Sequence, residues 1–241
     1  MARRPSAYIG HARIVGRGNQ GVPAFRTLGK HAIQRWLVAS VLVAGAIVFS
    51  IRFVDRPLAR ALAPLGLSPA MANGTAIELP VMITLAGIAV AAGVWYLWAR
   101  GRVPKLAEAA TLAGIALLAS ICLVEFLFKP MFTRTVPMAF LWDHAYGFRW
   151  LAWGDGSFPS GHADQCAAIL SVFWVYYPRL RGLYVLAMAV LAFALMAGEW
   201  HFFSDIIAGA FLGAFSGWLV LSVSRMLRAR QSTAGRNRPA F

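Results

Sequence analysis

Six apolar stretches constrain this chain more than any other feature, because each is long enough, or nearly long enough, to cross a bilayer. A helix needs about 20 mostly apolar residues to span the hydrocarbon core. The stretches run over about 33–53, 79–99, 106–128, 163–177, 183–200 and 202–223. The fourth is short, so its start is expected at the membrane surface or in a protein-lined cavity. Backbone groups in lipid must be satisfied within their own segment, which makes each stretch a helix. The expected fold is all-α, a six-helix integral membrane bundle over residues 31–230. A basic segment (1–30) precedes it and a tail (231–241) follows, both Arg/Gly/Pro/Ser-rich and expected to be mobile. Of the 241 residues 59% are hydrophobic and 13% charged, which excludes a disordered chain. Two cysteines exclude a disulfide scaffold, and Cys122 and Cys166 are expected to be small buried apolar residues.

The charge is lopsided. There are 23 Lys+Arg against 9 Asp+Glu, a net +14. In bulk, that number suggests a polyanion such as nucleic acid. Sorted by position, it reads otherwise. Seventeen basic residues fall in residues 1–35, in the second-to-third and fourth-to-fifth loops, and in the tail; six fall on the other side. The positive-inside rule then puts both termini in the cytoplasm. No nucleic-acid partner is expected; the bilayer is the partner. The basic start is too long, and the first apolar run too far in, for a secretory signal peptide. A bacterial inner membrane is the default location, with the active site expected on the periplasmic, outer face.

Polar density in so apolar a chain marks where function is expected. Three short segments carry it, and all three fall on the outer face of this topology. The first is Lys129-Pro-Met-Phe-Thr-Arg134-Thr-Val-Pro137, the second Phe158-Pro159-Ser160-Gly161-His162, the third His201-Phe-Phe-Ser-Asp205. His201 and Asp205 are one helical turn apart, so the carboxylate can hold one imidazole nitrogen and leave the other as a nucleophile or base. Ser160 is placed to cap a helix, and Gly161 lets a ligand approach the backbone. The N–H groups of that helix start suit phosphate oxygens, and His162 can move a proton there. Lys129 and Arg134 would compensate a phosphate dianion, and Glu125, one turn before Lys129, is placed to pair with it. Gly209, Gly213 and Gly217 are spaced for close helix packing.

The combination resembles the type 2 phosphatidic acid phosphatase superfamily, the lipid phosphatases related to vanadium haloperoxidases. That family's pattern is Lys-x6-Arg-Pro, then Pro-Ser-Gly-His, then Ser-Arg-x5-His-x3-Asp. The middle block matches in full, the first at Lys129 and Pro137, the third at His201 and Asp205. The family's first-block arginine falls on Val136, and its third-block Ser-Arg on Ala194 and Leu195. Arg134 is the nearest substitute, and Arg149 a second without a motif. The resemblance implies a membrane lipid-phosphate phosphatase that needs no metal or cofactor. His201 would be the nucleophile, Asp205 its orienting group and His162 the acid and then the base. Lys129, Arg134, Ser160 and Gly161 would hold the phosphate. Substrates implied by the family are undecaprenyl diphosphate, phosphatidylglycerol phosphate, phosphatidic acid and the phosphates of lipid A. A phosphotransferase on the same scaffold, or a non-catalytic lipid-binding relative, are the alternative readings.

Overall fold

The computed structural model describes residues 30–65, 67, 85–96, 104–152, 154 and 156–236. The basic start before residue 30, much of the first outer loop, and the last five residues lie outside these.

The first apolar stretch forms α1 (Lys30–Phe49), which widens into a π-helical turn at Ser50–Val54. The chain runs on into α2 (Asp55–Leu62) and a 3-10 turn at Ala63–Leu65. The loop expected after the first stretch is therefore helical at its start. Its sequence places Asp55, Arg56 and Arg60 among apolar residues, an amphipathic pattern suited to the membrane surface. The described part of the second stretch is α3 (Leu85–Tyr96). The third is α4 (Lys105–Leu123), continued by a π-helical turn at Val124–Phe128 and a last turn at Lys129–Met131. The fourth is α6 (Gly161–Tyr176), the fifth α7 (Arg181–Ala197), the sixth α8 (Phe203–Arg236).

Between α4 and α6, two short strands pair antiparallel: β1 (Phe132–Arg134) and β2 (Phe148–Trp150), with Phe132 opposite Trp150 and Arg134 opposite Phe148. Helix α5 (Pro137–Trp142) sits between them. This hairpin is the one departure from an all-helical bundle among the described residues. It closes because Phe132, Phe148, Trp150 and Phe158 pack ring against ring, with centroids 4.7–6.4 Å apart.

Four of the described helices are long and apolar enough to cross a membrane: Ala32–Leu65, Lys105–Met131, Pro178–Ala197 and Phe203–Arg230. Helix α6 has 16 residues, the short span that the sequence indicates. It is short because it starts inside the protein, with Ser160 and Gly161 buried. Helix α8 runs well past the apolar stretch that ends near 223. Its extension is held to α4 by an ion pair of Arg228 with Glu108, which also accepts from the Tyr176 hydroxyl.

The core lies where α4, α6 and α8 meet. Ala109, Ala113, Ala116 and Ala168 are buried there with Val172 and Leu221. Small residues let the backbones approach, and dispersion replaces the hydrophobic drive that lipid removes. The glycine stripe packs against α6. A Cβ on Gly209 would lie 2.2 Å from the Ser160 carbonyl oxygen, and one on Gly213 2.0 Å from that of Asp164. By contrast Leu37, Val41 and Leu42 on α1, and Leu183, Leu186 and Val190 on α7, are exposed. These apolar faces are what a bilayer covers. Cys122 is also exposed and Cys166 half-buried, against the expectation that both are buried. Lipid accepts a thiol as readily as a core does.

Candidate active site

The three motif segments converge at one end of the bundle. Lys129 closes α4, Ser160 caps α6, and His201 and Asp205 lie at the entry of α8. The Ser160 N–H donates to the Asp205 carbonyl (3.1 Å), which ties the starts of α6 and α8 together. The Ser160 hydroxyl accepts from the Ala163 N–H (3.4 Å), as expected of a helix cap. The first turn of α6 beyond Ser160 is the part of that helix start left to face an anion.

The two histidines sit side by side. Their ring centroids are 5.8 Å apart, and Trp200 flanks His162 at 5.4 Å. Behind His201, the Asp205 carboxylate lies 3.6 Å from Nδ1 through Oδ2. That is slightly long for a hydrogen bond, and Nδ1 has no other partner. Catalytic hydrogen bonds often tighten only when substrate is bound. Oδ2 is itself fixed by the Phe202 N–H (3.0 Å) and the Ser157 hydroxyl (3.1 Å). The nitrogen of His201 turned away from Asp205 is Nε2.

Lys129 and Glu125 form an ion pair at 2.8 Å. Both press on the start of α6: a Cβ on Gly161 would meet Glu125 Oε1 at 2.3 Å and Lys129 Nζ at 3.4 Å. Gly161 is thus where side chains from α4 meet the α6 backbone, and a Cβ there would require the Glu125 carboxylate to shift. The same two residues line a cleft of about 470 Å³ with Pro130, Gly154 and Gly156.

Arg134 departs from expectation. Its side chain has no exposed surface and does not face this cleft. One Nη donates to Asp205 Oδ1 and to the Ser204 hydroxyl (2.6 Å); the other donates to Asp55 Oδ2. The guanidinium is sandwiched by Phe202 at 4.4 Å and Phe148 at 5.3 Å. With both terminal nitrogens spent on carboxylates, Arg134 holds Asp205 rather than a substrate oxygen. Arg149 is exposed on β2, opposite Thr133. The family position at Val136 is exposed, and that at Leu195 is packed in an apolar cluster with Ala163 and Ile206.

Sequence reasoning missed Asp55, Ser157 and Ser204. Asp55 accepts from the Ser204 N–H through Oδ1 (3.0 Å) and from the Ser204 hydroxyl through Oδ2, so it caps α8 from 149 residues away. Its signal was an acid directly after an apolar run, with no hint of its partner. Glu199, two residues before His201, is buried with φ 61°. Its carboxylate accepts from Trp142 Nε1 (2.8 Å), and its carbonyl accepts from the Met138 N–H (3.1 Å). These bonds hold a backbone conformation that a non-glycine residue rarely adopts. Among the described residues no group of three His, Cys, Asp or Glu side chains is disposed to hold a metal ion.

The PAP2 superfamily profile matches residues 109–229, which includes Lys129, the Pro159–His162 block, His201 and Asp205. The chain belongs to the PAP2 superfamily. The match begins within α4 and ends within α8, so the PAP2 region holds all three core helices and the whole hairpin. Among solved structures, the chain is similar to a transmembrane PAP2 type phosphatidylglycerolphosphate phosphatase from Bacillus subtilis. The two share 18% identity over 80% of this chain and 96% of that one, with a TM-score of 0.43. No curated protein matches the sequence.

Proposed function

We propose that this PAP2 protein is a membrane lipid-phosphate phosphatase that works through a phosphohistidine. The observation that carries the reading is the placement of His162 against His201, with Asp205 behind His201. A phosphorus bonded to one ring would leave its oxygens within proton-transfer reach of the other.

In the first step, His201 Nε2 attacks phosphorus and the bond from phosphorus to the lipid-side oxygen breaks. His162 gives that oxygen its proton. In the second step, water attacks the phosphohistidine, His162 takes the water's proton, and the N–P bond breaks to release phosphate. Asp205 orients His201 and stabilises the charge on its ring. Lys129 and the backbone N–H of Gly161 at the start of α6 hold the non-bridging oxygens, the Ser160 N–H being committed to the Asp205 carbonyl. The substrate carries a phosphate or pyrophosphate headgroup and enters from the outer leaflet, as the charge bias of the loops implies.

The test is turnover in detergent of phosphatidic acid, phosphatidylglycerol phosphate and undecaprenyl diphosphate, following free phosphate and new phospholipid together. Free phosphate is expected from at least one of them. It should vanish in His201→Ala and fall by about 10²–10⁴-fold in His162→Ala, the usual worth of a general acid–base group. New phospholipid without free phosphate would make the protein a phosphotransferase. Binding without turnover of any donor would make it a non-catalytic relative.

A further inference from the structure

Asp55 lies outside every motif, yet it touches the catalytic carboxylate's own partner. It stands at the start of α2, 79 residues before Arg134, and neither side chain has exposed surface. Arg134 bridges it to Asp205, which also has none. Two carboxylates therefore share one guanidinium in a site that water does not screen. In such a site a lone Arg134 would draw on the charge that Asp205 presents to His201.

We infer that Asp55 is a positioning residue for His201: by sharing Arg134 it leaves Asp205 its negative charge toward the imidazole. The geometry gives Asp55 a second part in the same task. Its carboxylate accepts from the N–H and the hydroxyl of Ser204, which sets the height of the first turn of α8. Asp205 is the next residue, so the same contacts set where its carboxylate stands. The inference rests on the reading of His201 as nucleophile.

The sign follows from the charges. His201 faces Asp205 from α8 and His162 from α6; Arg134 of β1 pairs with Asp205, Asp55 of α2 pairs with Arg134, and Glu199 lies two residues earlier in the chain. Lys129, Glu125 and Asp164 lie farther along, around the first turns of α6. With Asp55 in place, the Asp55, Arg134 and Asp205 group sums to one negative charge. Asp55→Asn makes it neutral, so the imidazole loses its proton more readily. The acid limb of the kcat/KM–pH profile should move down by about one pH unit, the effect of one charge at ~10 Å under an effective dielectric of about 20. Asp55→Glu should keep the limb in place. The double variant Asp55→Asn/Arg134→Met restores one negative charge and should return the limb to its wild-type position.

Two readouts are taken on the purified full chain: the kcat/KM–pH profile with phosphatidic acid in detergent micelles, and the pH dependence of carbethoxylation at His201, read by mass spectrometry. The second needs no turnover. A shifted carbethoxylation curve in a protein that hydrolyses nothing would sustain this inference while the phosphatase reading fell. Curves that superimpose for wild type and Asp55→Asn would overturn it, since a purely structural aspartate would change stability and not the limb. Should Asp55→Asn not fold, the double variant carries the test. A limb displaced there by more than about half a unit would contradict the charge balance.

Discussion

Arg134, Asp55 and Asp205 are three ionised groups with no exposed side-chain surface. Taking such groups out of water is expensive, and their mutual attraction offsets the cost only while the set is complete. Arg134→Met would leave two carboxylates buried without a cation. It is expected to lower stability by about 3–5 kcal/mol, the usual cost of breaking a buried pair. Thermal unfolding in detergent measures this, and a loss under ~1 kcal/mol would mean the set behaves like a screened surface pair. Lys129 is the contrasting case. Its side chain is 29% exposed, it lines the cleft, and Glu125 offsets part of its charge. On the proposed reading the site meets a phosphate with one lysine and a helix start. At this scale the residues that the structure brings together were legible in the sequence, since His162, His201 and Asp205 lie in short motifs with helical spacing. The work of Arg134 was not legible, because a loop arginine two places from a family position looks the same whether it faces substrate or carboxylate.

Helix α8 carries the site because its glycines let it lie against α6. The Ser160 and Asp164 carbonyl oxygens occupy the space where side chains on Gly209 and Gly213 would be. The obstacle at Gly213 is α6 backbone, which cannot turn aside as a side chain would. Gly213→Val is expected to destabilise by at least about 1–3 kcal/mol through overpacking, and to lower activity by moving α6 and its Ser160–His162 start away from α8. Gly45→Ala on α1, with nothing within 4 Å, serves as the control and should leave both unchanged or slightly improved. Thermal unfolding and turnover on the same samples separate the two. Four-residue spacing made this stripe readable in the sequence, and apolar length did the same for the short α6. The β1–β2 hairpin was not readable. Its strands are three residues each, and aromatic packing between them, rather than any alternating pattern, holds them together.

For the whole molecule, orientation is the claim to check. The basic residues place Asp143 outside and Gly182 inside. In a background with Cys122→Ala and Cys166→Ala, an impermeant maleimide applied to intact cells should label Asp143→Cys and not Gly182→Cys. The reverse pattern would turn the active site to the cytoplasm and overturn the outer-leaflet substrate. The sequence by itself determined the helical membrane bundle, because lipid allows few backbone solutions and apolar length reports them directly. It also determined which histidines and which aspartate meet, because each is held within a few residues of a helix end. Only the tertiary structure decided what Arg134 does. Its fate depends on Asp55, 79 residues away on a surface helix, and on whether water can reach between them. A contact between distant segments leaves no local pattern. Burial then turns that contact from a negligible surface pair into one that holds the Asp205 carboxylate beside His201.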